Sequence, residues 1–439
     1  MLPPTFPLPS ALATLAWIRR PIQVMHYCRA RFGHTFAIRL AGTGNVVLTA
    51  DPESIKRIFT GDPNELRAGE VNVVLEPLVG SNSVLLLDGA QHLAHRRLLL
   101  PPFHGERMRL YADDMQRATR AQMARWPQGE AFALREPMQA ITLEVILRTV
   151  FGVDPEKLVA LRSGLERMLA IADSPGAILT MLPTLRHDLP FSPWRRFLAD
   201  RARNDAELFA LIDRRRAETH EGKTDILSML IDAVDVDGRP LSNQELRDEL
   251  VTLLVAGHET TATALAWAFE RILATPEVYT RLRAELRERE HGPEELTKLP
   301  YLDATVHESL RTRPVIPMVG RRLHAPFEVG GFQIPPGWVV APSIYLTQQS
   351  PRLYSEPEKF SPERFLDKRP DPYTWFPFGG GIRRCLGMAF ALVEMKIVLG
   401  TVLSEIDLTL AERPPVRTVR RAITFVPEGG TRVRARRAA

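Results

Sequence analysis

The chain has 439 residues, of which 45% are hydrophobic and 25% charged, the ordinary globular mix, which excludes a disordered chain, a coiled coil and a collagen-like repeat. Two cysteines, Cys28 and Cys385, exclude a disulfide scaffold and a four-thiolate zinc site. The net charge of +5 is a terminal effect: residues 413–439 hold eight arginines against one acid, Glu428, so the rest of the chain is close to neutral and a nucleic-acid partner, which needs a basic folded face, is not expected.

Met1–Pro9 is proline-rich, and the apolar stretch Ala11–Ile18 ends at Arg19 and Arg20, short of the roughly 20 apolar residues of a membrane span. No membrane anchor is expected, and a cytoplasmic setting follows, with both thiols reduced. Thr35–Ala50 reads as two strands around a Gly-Thr-Gly-Asn turn. His92 and His95 form an i, i+3 pair that could bind metal, with no acidic or cysteine ligand beside them. Glu218–Lys223 is a polar loop too short to separate domains.

Ser242 to about Thr275 is the longest predicted helix. Ser242 and Glu245 give a capping-box pattern, Leu246, Leu250, Leu253/Leu254, Leu265, Phe269 and Ile272 recur at helical spacing, and Pro276 marks the end. A rod of roughly 50 Å crosses a whole domain of this size, which predicts one large domain over 1–439 with this helix at its centre. Its middle, Ala256-Gly257-His258-Glu259-Thr260-Thr261, is poor helix sequence. Two readings stand: a loosely packed polar patch, or a kink that opens a groove to which Thr260 offers a hydroxyl and Glu259 a proton relay. A zinc-peptidase HExxH fails, because Ala262 occupies the second histidine position.

Phe327–Ile334 reads as a hairpin turning at Gly330-Gly331. Phe378-Gly379-Gly380-Gly381-Ile382-Arg383-Arg384-Cys385-Leu386-Gly387 is the most informative segment. Its glycines let the backbone fold tightly, and a helix is predicted from Met388 to Leu399, which puts Cys385 at a helix N-terminus where amides and dipole favour a thiolate. A metal ligand, a nucleophile and a buried structural cysteine all remain open on these residues alone.

These segments together resemble the cytochromes P450, the haem-thiolate monooxygenases. Phe378–Gly387 is similar to the family's FxxGxRxCxG loop, Ala256–Thr261 to its AGx(D/E)T(T/S) segment, Glu308-Ser309-Leu310-Arg311 to ExxR and Pro362-Glu363-Arg364-Phe365 to PERF, all in family order. The resemblance covers about 20–430, leaving 431–439 as a basic tail. It implies a mainly α fold with small β-sheets, in which the long helix crosses a haem b (iron protoporphyrin IX). It implies Cys385 as the iron ligand, as in thiolate-ligated haem, and Phe378 as the aromatic that shields the sulfur. Gly387 and Ala256 come with the two haem-lining motifs. His92, Arg96, Arg383 and Arg321, the last interchangeable with its neighbour Arg322, are implied as donors to the haem propionates. Glu308, Arg311 and Arg364 resemble the family's buried ion cluster.

The implied activity is insertion of one oxygen atom from O2 into a hydrophobic substrate, with Thr260 and Glu259 as the oxygen-activating pair. With two cysteines and no further domain, electrons are expected from a separate ferredoxin or flavodoxin with its NAD(P)H-dependent reductase, docking on Arg97, Arg107, Arg109 and Arg384. Closer likeness is to a cyanobacterial and myxobacterial subgroup associated with fatty-acid and terpene oxidation. By resemblance the pocket walls are Val71–Leu85, Met168–Phe197, Leu253–Thr260, Val315–Val319 and Ile423–Phe425, with Arg67 or Arg186 as possible carboxylate partners. A peroxide-driven or isomerising haem-thiolate enzyme, or a haem-thiolate sensor without turnover, are the alternatives. The intact Glu259-Thr260 pair argues against both.

Overall fold

The glycine turns fall where the sequence puts them. Strands Phe327–Val329 and Phe332–Ile334 pair antiparallel, with Gly330 and Gly331 at φ of +58° and +81° between them. Positive φ at both central residues is the twist-compatible hairpin turn, open to glycine at little cost. Thr35–Leu40 and Gly44–Thr49 form a second hairpin. The computed structural model describes residues 1–103, 107–152, 159–173, 192–220, 222–287 and 291–437.

The chain folds as two compact units. The first comprises Met1–Arg67, Met108–Thr142 and Glu259–Ala439, and the second Ala68–Arg107 and Leu143–His258. Among the described residues, all named strands belong to the first unit, and the second is helical.

In the first unit a five-stranded sheet runs Thr35–Leu40, Gly44–Thr49, Val339–Pro342, Arg321–Leu323, Leu66–Arg67. The Gly44–Thr49 and Val339–Pro342 strands are parallel and their neighbours antiparallel. Helix Pro52–Thr60 is capped by Asp51, whose carboxylate accepts the Ser54 N–H at 2.9 Å. It turns Ile55, Ile58 and Phe59 onto Val47, Leu66, Leu323 and Val340 of the sheet and onto Phe376. Burying each such side chain stabilises by about 1.5–3 kcal/mol. Strand alternation puts the two neighbouring arginines on opposite faces: Arg321 shares a face with Leu323 and is buried, while Arg322 takes the other face and donates to the Gly337 carbonyl at 2.7 Å.

The long helix runs Asn243–Leu273. Its capping box forms as the sequence predicts: the Glu245 N–H donates to Ser242 Oγ at 3.2 Å, and the Ser242 N–H donates to Glu245 Oε2 at 2.8 Å. The weak central hexapeptide does not interrupt it. In the second unit Gly257 lies against helix Arg135–Phe151, where an added Cβ would come 3.3 Å from Ile146 Cδ1.

Two expectations are overturned at the ends of the chain. Packing begins before residue 20, since Phe6 and Ala37 N–H groups donate to the Ala37 and Pro4 carbonyls at 2.8 Å, and Trp17 is buried. The basic tail is not a tail. Arg432–Arg437 is the middle strand of a three-stranded sheet, between Ala131–Ala133 and Ile406–Leu410. Its Arg-Val-Arg-Ala-Arg repeat has strand period, with Val433 and Ala435 at 0% exposure and the arginines outward. The arginine content hid the alternation. Val433→Asp should therefore lower stability by about 3 kcal/mol or more, because it leaves an unpaired charge in the core. Arg436→Gln should leave stability unchanged. Urea unfolding of both variants measures this, and equal, small effects would restore the tail.

Candidate active site

The Cys385 loop is built by its neighbours in the first unit. The Cys385 N–H donates to the Phe378 carbonyl at 3.0 Å, the Arg384 N–H to Gly381 at 3.1 Å and the Gly379 N–H to Phe376 at 2.9 Å. Gly381 has φ +64°, and a Cβ there would stand 2.0 Å from the Phe59 carbonyl oxygen. Only glycine satisfies both constraints. Phe59 also carries the Arg321 guanidinium 5.9 Å from its ring centroid, so one residue of the sheet-packed helix touches the loop and a candidate propionate donor. The loop runs into helix Met388–Glu405, longer than predicted and N-capped by Gly387.

A buried polar core ties this loop to the Glu308–Arg311 turn on helix Pro300–Thr312. Both side chains are at 0% exposure, and Arg311 donates to both Glu308 carboxylate oxygens at 2.6 and 2.7 Å. The rest of the guanidinium donates to the carbonyls of Gln348, Pro357 and Lys359 at 2.8, 2.9 and 3.1 Å. Glu308 also accepts the Ser361 N–H at 2.9 Å and lies 3.4 Å from Arg364. The Gln348 side chain donates to the Leu310 and Arg311 carbonyls, both at 3.0 Å, and its Oε1 accepts the Phe376 N–H at 3.2 Å. Gln348 thus joins the ion pair to the Cys loop. No motif flags it in the sequence, because its partners come from two separate segments, at 310–311 and at 376.

The two cysteines occupy opposite environments. Cys28 is wholly buried, and burial pushes its thiol up to about 12, an inert core residue. Cys385 is exposed. Glu394, on the helix after the loop, is also buried, and its Oε1 has no hydrogen-bond partner. Burial holds its carboxyl well above its ordinary value.

Glu259 is engaged within the first unit. Its carboxylate pairs with Arg135, accepts from Gln139 Nε2 at 2.8 Å and receives Thr263 Oγ1 at 3.4 Å. Thr260 follows it and is half-buried. In the second unit His92 is buried and Arg96 half-buried on helix Gly89–Leu99, and Ala256 is exposed although residues 250–254 are buried. His95 lies beside two acids there: its Nδ1 is 2.8 Å from Glu249 Oε1 and its Nε2 3.6 Å from Glu245 Oε1. This corrects the view that no acid stands beside the histidine pair. The acids come from a distant helix. Among the described residues no cluster of three or more His, Cys, Asp or Glu could hold a metal ion. Arg186 and most of Met168–Phe197 lie outside the described residues. Arg67 is a strand residue whose Nε donates to the Asn64 carbonyl at 3.2 Å.

This donor set fits a haem. An exposed thiol stands on a rigid loop, Arg383 is half-buried in that loop, Arg321 is a buried cation, and a Cβ added at Gly387 would meet no atom within 4 Å.

A family model described as Cytochrome P450 matches residues 2–431. The putative cytochrome P450 135B1 of Mycobacterium tuberculosis is 41% identical over 442 residues, covering 99% of this chain and 91% of its own. The putative cytochrome P450 138 of that organism is 37% identical over 439 residues, covering 99% and 96%. A retinoic acid-bound cyanobacterial CYP120A1 superposes over 100% of this chain and 99% of its own, with a TM-score of 0.87 and 28% identity.

Two outcomes follow from the polar core and the buried acid. Glu308→Ala leaves the Arg311 charge buried without its partner and should cost about 3–5 kcal/mol. Chemical denaturation reads this, and a cost under about 1 kcal/mol would contradict the buried-pair account. Glu394 keeps its proton when folded and ionises near its ordinary value of 4.5 when unfolded. Its protonation therefore stabilises fully below about pH 4.5, and that contribution is lost as pH rises toward the folded value. Glu394→Gln cannot ionise, so its melting temperature should exceed wild type at pH 8 and converge on it near pH 4.5. A constant difference across that range would disprove it.

Proposed function

This chain belongs to the cytochrome P450 family, and from that premise we propose that Cys385 is the haem ligand of a monooxygenase acting on a hydrophobic small molecule. The family makes it an oxidoreductase that uses haem, O2, a substrate and electrons from redox partners. Bound haem supplies the one-electron and O2 chemistry that no side chain has, for the overall reaction R–H + O2 + two electrons + two protons giving R–OH + H2O. The observation that carries the ligand assignment is the exposed Cys385 on a loop fixed by backbone hydrogen bonds, whereas the chain's other cysteine, Cys28, is buried and inert.

The chain's own residues divide the remaining work. Arg321 and Arg383, with His92 and Arg96, offer charge-assisted hydrogen bonds to propionates. Ala256 is exposed between half-buried neighbours and presents only a methyl, which suits a flat group packed against the helix. Phe378 packs its ring 6.3 Å from Trp375, and by the family resemblance it is the aromatic that shields the sulfur. Thr260 supplies the hydroxyl that holds a proton at the reacting oxygen. Glu259 would leave Arg135 and Gln139, take a proton from solvent and pass it to that hydroxyl, returning to the ionised, paired state after each delivery.

Residues 1–439 act as one haem domain. The substrate is a fatty acid, a terpene or a similar apolar molecule, a reading supported by the apolar Val315 and Phe425, joined through a 2.7 Å backbone hydrogen bond, and by the retinoic acid in the cyanobacterial relative. Electrons come from a ferredoxin or flavodoxin with its NAD(P)H-dependent reductase. The exposed Arg97, Arg109 and Arg384 suit an acidic partner. The protein works in the cytoplasm, and among the described residues no helix is long and apolar enough to cross a membrane.

Thr260→Ala should retain haem and substrate binding while product formed per NAD(P)H consumed falls and peroxide rises, because the group that delivers the proton is lost. Arg135→Gln frees Glu259 and should change the pH dependence of product formation without changing substrate affinity. Unaltered coupling in Thr260→Ala removes the hydroxyl from the mechanism.

A further inference from the structure

The His95 contacts point to a role that the haem-binding motifs do not include. Helix Gly89–Leu99 carries His92 and Arg96, three residues before and one residue after His95. Glu249 lies on the long helix with its side chain at 0% exposure, against 12% for His95. One Glu249 oxygen receives both the imidazole at 2.8 Å and the Val84 N–H at 2.9 Å, and the other is buried without a hydrogen-bond partner. A buried carboxylate that half-uses its acceptors is stable only when a cation stands beside it. Here that cation is the imidazolium, with Glu245 at 3.6 Å on its other nitrogen.

The neighbouring segment is tied to the same stretch of the long helix. Asp248 accepts from the Asn82 backbone and side chain at 3.0 and 2.9 Å, Thr252 bonds Ser83 Oγ at 2.7 Å, and Arg247 donates to the Val79 carbonyl at 3.3 Å. Glu249 itself joins this segment, through Val84, to the helix that carries His92 and Arg96, through His95.

We propose that the Glu249–His95 pair is a latch that positions His92 and Arg96 to hold the haem propionates. This rests on the haem reading above. His95 and Glu249 are positioning residues and touch neither substrate nor haem. Burial alone would lower the imidazole, but Glu249 and Glu245 outweigh it and hold it above its ordinary value of 6.5. Burial holds the Glu249 carboxyl above its ordinary value of 4.5 even with His95 beside it, so the latch is charged only between the raised Glu249 value and the raised His95 value, and it loses its imidazolium as pH rises through the latter. The charged groups facing it are Glu245 and Glu249, with Asp248 adjacent to Glu249.

Transfer of haem from the holoprotein to excess apomyoglobin, followed at the Soret band from pH 6 to 9, tests this. Wild-type transfer should accelerate as pH rises above neutrality. Glu249→Gln at pH 6.5 should release haem about tenfold faster, the scale of losing a group that orients a cofactor-binding residue. His95→Gln keeps a hydrogen bond to Glu249 but cannot titrate, so its release rate should be raised and flat with pH. Glu249→Asp should recover part of the wild-type rate. Far-UV circular dichroism checks that each variant is folded, and if Glu249→Gln does not fold, the flat profile of His95→Gln decides alone. Rates within twofold of wild type, with the wild-type pH profile kept in His95→Gln, would overturn the latch. A wild-type protein that binds no haem at all would overturn the haem reading itself, which is a separate result.

Discussion

The buried Glu308–Arg311 pair is the constraint on which the rest of the site depends. Two full charges at 0% exposure are tolerable because every strong donor and acceptor is used: two bonds within the pair, and three carbonyls supplied to the guanidinium. Those carbonyls belong to residues 348, 357 and 359, so satisfying one arginine fixes the path of the chain that leads into the Cys385 loop. Gln348 carries the order one step further, from the carbonyls of Leu310 and Arg311 to the N–H of Phe376. The apolar side of the same loop is set by Phe59, delivered by a helix packed on the sheet. Polar network and hydrophobic packing converge on ten residues that must hold a thiol outward.

Environment, more than residue type, separates the groups with chemistry from those without it. Cys28 and Cys385 share a side chain and differ in burial. Glu394 and Glu259 are both acids on helices, the first on the helix that follows the Cys385 loop and the second on the long helix. Glu394 is buried without a cation and keeps its proton, whereas Glu259 is paired with Arg135 and bonded to Gln139. A relay needs an acid that can change partners, and of the two only Glu259 has partners to exchange.

Local signals in the sequence were readable because their physics is local. The Ser242–Glu245 capping box, the Gly330-Gly331 turn and the ExxR spacing each lie within a few residues and appear as expected. Long-range signals were not readable. Gln348 and Phe59 act through partners far along the chain, and Glu249 meets His95 across a separation of 154 residues. The strand Arg432–Arg437 was misread for a different reason. Its composition is that of a solvated tail, and only the two small inward residues, Val433 and Ala435, reveal the pleat. The tertiary contacts show what the motifs do not, the groups that hold the Cys385 loop in place.

The most direct test of the central claim is the absorption spectrum of dithionite-reduced protein with and without CO, taken on wild type and on Cys385→Ser. Thiolate ligation by Cys385 predicts a strongly red-shifted Soret band in fresh wild-type protein and its loss in the variant. The same red-shifted band in Cys385→Ser, or no haem band in folded wild-type protein supplied with haem, would contradict it.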